Sequence, residues 1–126
     1  MSIDLSKTYH IGMAVEDIDL CCKQIGADLN LDWLPIKTFD PLPFWTPEEG
    51  LRDISVRATY SRQGPQRLEI VQGTSIFYDP KRLPDSRHIG VWVDELEEEA
   101  TRLITNGWTV LAAGDEPSSG YGTIAY

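Results

Sequence analysis

Histidine is scarce in this chain, with two residues in 126, His10 and His88. Cysteine is as scarce, and Cys21 and Cys22 are neighbours. Adjacent residues rarely meet disulfide geometry, and no third cysteine offers another pairing. Both read as free thiols on a helix, one buried and one half-exposed, in a reducing cytoplasmic setting. Long apolar runs are missing, and no stretch approaches the roughly 20 residues of a membrane span. The start, Met1-Ser2-Ile3-Asp4-Leu5, has neither the basic nor the apolar region of a secretory signal. Basic residues are outnumbered 11 to 20 by acidic ones, for a net charge of −9. That balance disfavours nucleic acid and anionic membranes as partners. It leaves a small-molecule substrate open, because a pocket can carry a local sign opposite to the whole.

What is present fits one globular domain over 1–126, long enough to bury a core. The chain contains a repeat. Tyr9-His10-Ile11-Gly12-Met13-Ala14-Val15-Glu16-Asp17-Ile18 aligns with Arg87-His88-Ile89-Gly90-Val91-Trp92-Val93-Asp94-Glu95-Leu96. Each copy reads as a short strand running into a helix N-terminus. In the first copy Asp17 is the expected cap. Leu20, Ile25 and Leu29 form the apolar face of that helix, and Gly26 weakens its interior. In the second, Asp94 is the expected cap, with Glu97 completing a capping box. Leu96, Ala100, Leu103 and Ile104 share a face, and Asn106-Gly107 ends the helix.

After the first helix a strand is expected over Asp32–Phe39, followed by a proline-rich loop, Pro41–Pro47, holding Phe44 and Trp45. Arg52–Tyr60 alternates, with Ile54, Val56, Ala58 and Tyr60 on one face. Arg67–Gln72 is the next strand. The first half, about 7–74, therefore reads β-α-β-β-β. The second, about 86–126, begins the same way, with strands expected over Trp108–Ala112 and Gly122–Tyr126. It reaches Tyr126 without a counterpart to Arg67–Gln72.

Strand alternation sorts the side chains by face. His10, Gly12 and Ala14 lie opposite Ile11, Met13 and Val15. His88, Gly90 and Trp92 lie opposite Ile89, Val91 and Val93. If the aliphatic sets pack on the helices, both histidines face the concave side. With Leu68 and Ile70 turned to the helices, Glu69 joins them. Two neutral imidazoles and a carboxylate suit a divalent first-row ion: Zn, Co, Ni, Mn or Fe. The glycines after each histidine keep the site uncrowded. Trp92 shares the face of His88 and is a candidate ligand wall, as is Trp45. Arg57 points to the polar side of its strand, to pair with a substrate carboxylate or phosphate, or equally with Asp53 or Glu69.

The two His-Ile-Gly strands, each running into an acidic helix start, together with Leu68-Glu69-Ile70-Val71, resemble the glyoxalase/bleomycin-resistance/extradiol dioxygenase (vicinal oxygen chelate) superfamily. They look closest to its methylmalonyl-CoA epimerase-like branch. The resemblance implies an α+β fold of paired β-α-β-β-β modules, curved around a metal and substrate cleft. Carried over, the ligands are His10, Glu69 and His88; a fourth, on the last strand, has no counterpart here. A homodimer is implied as well. The implied activity is that of a metal-dependent isomerase or lyase, with a metal-stabilised enolate and proton transfer beside a carbonyl. Pro47-Glu48-Glu49-Gly50-Leu51 resembles the segment that carries a base in that branch, so Glu48 and Glu49 are candidate bases. Two alternatives stand beside this reading. One is an Fe(II) extradiol-type dioxygenase, which needs two histidines and a carboxylate. The other is a metal-free small-molecule binding protein of the resistance type.

Overall fold

Asp17 caps the first helix as expected, its carboxylate accepting from the Leu20 amide at 3.0 Å. That helix, α1 (Ile18–Leu29), follows strand β1 (Thr8–Ala14) in a computed structural model that describes residues 3–82 and 86–126. Then come β2 (Lys37–Thr46), β3 (Gly50–Tyr60), β4 (Arg67–Gly73), β5 (Arg87–Val91) and α2 (Leu96–Thr105). Neither helix is long and apolar enough to cross a membrane. The five strands form one curled half-barrel sheet in the order β2-β3-β4-β1-β5. β1 runs parallel to β4 and antiparallel to β5. The chain is thus of the α+β class, with the β-α-β-β-β order of its first half as expected.

Register puts the two sequence copies side by side. His10 of β1 pairs with Gly90 of β5, and Gly12 pairs with His88. Beyond β1, Gly12 pairs with Glu69 of β4, and Glu69 pairs with Tyr60 of β3. Tyr60, Glu69, Gly12 and His88 therefore make one row across four strands, all on one face of the sheet.

One end of that concave face holds a core of Ala14, Phe44, Ile54, Val56, Val71 and Phe77. On the other face Met13 and Val15 pack with Ile18, Cys22 and Ile70 beneath α1. Gly26 allows α1 to approach Trp33: a Cβ there would lie 3.0 Å from the indole nitrogen. Ile11 and Ile89, expected under the helices, are instead 53% and 64% exposed. α2 does not cover them, because its Ala100 packs against Ala113 and Tyr121.

Four further expectations are corrected. The proline-rich segment is not a loop, because β2 runs through it to Thr46. β2 is an edge strand and its register breaks between Phe39 and Leu42, which spares Pro41 a ladder bond it cannot make. Residues 32–36 precede β2, and Trp33 makes only a single bridge, to Ser61. Glu95, not Asp94, occupies the cap position of α2 and makes no side-chain bond; Asp94 faces Lys7 at 3.8 Å. The strands expected over 108–112 and 122–126 are reduced to isolated bridges, Trp45 to Ala113 and Ala113 to Ala125. Pro117 and the left-handed residues Gly120, Tyr121 and Gly122 turn the chain between those two segments and keep the ladder short.

Candidate metal centre

The row across the sheet converges on one point. His10 Nε2 lies 2.9 Å from His88 Nε2. Glu69 Oε1 lies 3.1 Å from His88 Nε2 and 3.6 Å from His10 Nε2. His10 and Glu69 are buried, and His88 is nearly so. Among the described residues this is the one group of three or more potential ligands that meets in this way.

Two glycines make the convergence possible. A Cβ on Gly12 would sit 2.2 Å from His88 Cε1, and a Cβ on Gly90 would sit 2.2 Å from His10 Cε1. Each copy of the repeat thus supplies the bare backbone over which the other copy's imidazole lies. Real Cβ atoms cannot come so close, so any side chain at either position pushes a ring out of the cluster.

The donor set fits a divalent ion. A triangle with sides of 2.9, 3.1 and 3.6 Å has a circumradius of about 1.9 Å. A point about 2.1 Å from every corner, the length of a zinc–nitrogen or zinc–oxygen bond, therefore exists just off its plane. Protonation suits the same role. Burial, partly opposed by the Glu69 charge, pushes the His10 pKa down and keeps the ring neutral. Burial alone would raise the Glu69 carboxyl. The neighbouring His88, Tyr60 and His10 outweigh it, leaving the carboxyl below its ordinary range. The second ring nitrogen of His10, Nδ1, is buried with no hydrogen-bond partner among the described residues. Its ring is held by packing, with Tyr9 edge-on at 4.2 Å and Tyr60 at 5.6 Å between centroids.

Tyrosines enclose the cluster, and the sequence reading did not single them out. Tyr60 is the direct cross-strand partner of Glu69. Tyr126 stands 5.0 Å from the His88 ring, and its hydroxyl meets that of Tyr78 at 3.3 Å. Burial drives all three phenols up, Tyr78 to about 12, so they stay protonated. The available signal was alternation, which put Tyr60 on the inner face of β3. Tyr9 arrives by another route. The β1–β5 register slips by one residue between Thr8 and His10, and the extra residue, Tyr9, turns in beside His10.

The other candidates stand apart from the triad. Glu49 pairs with Arg52 and accepts from the Ile76 amide, and Glu48 pairs with Arg82. Both lie in the turn before β3, whereas Tyr60 ends that strand. Arg57 holds Asp19 of α1 at 3.0 Å rather than Asp53 or Glu69. Trp45 packs beside Ala113 and Tyr121. Trp92 is 62% exposed and stacks on Tyr9 at 4.5 Å, one ring away from His10. A separate cleft of about 440 Å³, lined by Leu42, Phe44, Leu51, Tyr78 and Ile124, shares Tyr78 with the phenolic shell.

The family model described as glyoxalase/bleomycin resistance protein/dioxygenase superfamily matches residues 9–126 of the chain. No curated protein matches it significantly.

Proposed function

The chain belongs to the glyoxalase/bleomycin resistance protein/dioxygenase superfamily, and from that premise we propose that it is a metal-dependent isomerase or lyase acting on a small carbonyl substrate. The observation that carries this reading is the meeting of His10, Glu69 and His88 within 4.8 Å on the concave face. These residues would hold a divalent ion. When bound, such an ion supplies a Lewis acid that steadies negative charge on a substrate oxygen.

The chain's own residues do the rest. Glu69, kept ionised by its neighbours, accepts the proton from the carbon beside the carbonyl. His10 and His88, held over Gly90 and Gly12, present their Nε2 atoms without crowding. The phenolic shell keeps bulk water from Glu69, so its charge acts through a low dielectric. Glu48 and Glu49 take no part in this scheme, since each is engaged with an arginine at the far end of β3. A homodimer belongs to the same proposal.

Deuterium exchange tests it. Protein loaded with Co(II) or Zn(II) is incubated in D2O with a hemithioacetal and, separately, with an acyl-CoA thioester. Mass spectrometry of the recovered compound should show uptake beside the carbonyl that disappears with chelator and in Glu69→Gln. Uptake that survives both treatments, or no uptake from either compound, contradicts the proposal. Two histidines and one carboxylate would also suit an Fe(II) oxygenase. Oxygen consumption by the iron-loaded protein on a catechol would move the assignment there.

A further inference from the structure

We propose that the outer edge of β5 is a self-association surface: two copies of the chain pair this strand antiparallel about a two-fold axis, and their sheets run on as one. The inference rests on the homodimer of the proposed function, to which it gives a surface, and it needs no bound metal. The backbone carries it first. The Ser86 carbonyl accepts from the Ala14 amide, and the Trp92 amide donates to the Lys7 carbonyl. Backbone groups change sides at each residue of a strand, so Ser86, His88, Gly90 and Trp92 address β1. Arg87, Ile89 and Val91 therefore turn their N–H and C=O groups outward. β5 ends the sheet, and among the described residues no strand pairs with that edge.

The side chains beside this edge are apolar. Ile89 stands opposite Ile11, and Ile11 opposite Leu68, a row of aliphatic residues that runs out across the convex face to β5. α1 covers Met13 and Ile70, and α2 packs elsewhere, so Ile11 and Ile89 stay exposed. Edge strands that remain single are blunted by prolines or charges. β5 has no proline, lysine or acidic residue, and its one arginine stands at its end. The strand is also complementary to itself. Centred on Ile89, antiparallel pairing sets Ile89 against the partner's Ile89 and Arg87 against the partner's Val91, and every outward backbone group finds a bond. Charge favours the same direction. Each Arg87 lies where the partner chain runs on into its exposed Asp94 and Glu95, whereas parallel pairing would set the two arginines side by side. This complementarity of edge, row and charge makes a second copy the occupant.

Sedimentation equilibrium over a concentration series, with chelator present, tests the surface on wild type, Ile89→Lys, Arg87→Glu and Leu29→Lys. Leu29 is as exposed as Ile89 but lies on α1, so its lysine variant controls for the added charge. The proposal expects wild type at twice the chain's 14.2 kDa. Ile89→Lys, which sets like charges opposite each other, should raise the dimer Kd about tenfold or more. Arg87→Glu should raise it in the same direction, and Leu29→Lys should match wild type. A monomeric wild type overturns the homodimer and this inference together and leaves the metal reading standing. A dimer that Ile89→Lys and Arg87→Glu form as tightly as wild type overturns this inference alone, as does an equal loss in all three variants. Should Ile89→Lys fail to fold by circular dichroism, Arg87→Glu against Leu29→Lys decides.

Discussion

His10 is 3% exposed, and taking an imidazole that far from water favours its neutral form. Its pKa lies below 6.5 in the folded protein, so the unfolded chain takes up the proton first as pH falls. The stability that depends on a neutral His10 is therefore complete above about pH 6.5 and is lost as pH drops below it. Glu69, also held below its ordinary value, repeats the sign lower, from 4.5 downward. Chelator-treated protein should accordingly melt at lower temperature as pH goes from about 7.5 to about 5.5. The decline should be shallower in His10→Gln, measured by circular dichroism. A decline of equal slope in that variant would remove His10 as its source.

Between β1 and β5 the decisive feature is a crossed pair of contacts, His88 over Gly12 and His10 over Gly90. A methyl group at Gly12 meets His88 first, at 2.2 Å, so the cost should be about 1–3 kcal/mol and should depend chiefly on His88. Urea denaturation should show Gly12→Ala destabilised and His88→Ala relieving much of that loss, with His10→Ala relieving less. For Gly90→Ala the two histidines exchange roles. Additive effects in all four combinations would contradict the crossed packing. The helix caps give a simpler comparison. Asp17→Ala should cost about 1 kcal/mol, whereas Asp94→Ala, which removes no cap bond, should cost a few tenths at most. Thermal melts of the two variants would separate them.

The same elements explain what could be read from sequence. His10, Glu69 and His88 were legible because a strand has a strict period of two and because the repeat marks equivalent positions. Tyr60 was assigned to the right face but carried no mark of a place beside the ligands, since a tyrosine alternating with Ile54, Val56 and Ala58 reads as core. The proline-rich strand was hidden by its prolines, which an edge strand tolerates and a sequence window cannot tell from a loop. Glu48 and Glu49 resembled a catalytic segment. Only the length of β3, once paired to β4 through Tyr60 and Glu69, sets them at the far end of the sheet. The packing of α2 depends on Ala113 and Tyr121, contacts between segments that no local pattern links.

For the molecule as a whole, the three ligands come from β1, β4 and β5, so a bound ion would tie the middle of the sheet to its edge. An ion that binds only the folded chain stabilises it by mass action, by about 2.7 kcal/mol at a hundredfold excess over Kd. The net charge of −9 adds a general attraction for cations, so site binding has to be separated from surface binding by substitution. Equilibrium dialysis against Co(II) or Zn(II), at a salt concentration that screens the surface, does this most directly. About one ion per chain should bind wild type, as a three-ligand site of this kind requires. His10→Ala, Glu69→Gln and His88→Ala should each lose that binding, and Glu48→Gln and Glu49→Gln should keep it. Wild type that binds no ion, or His88→Ala that binds as tightly as wild type, would contradict the assignment of the site.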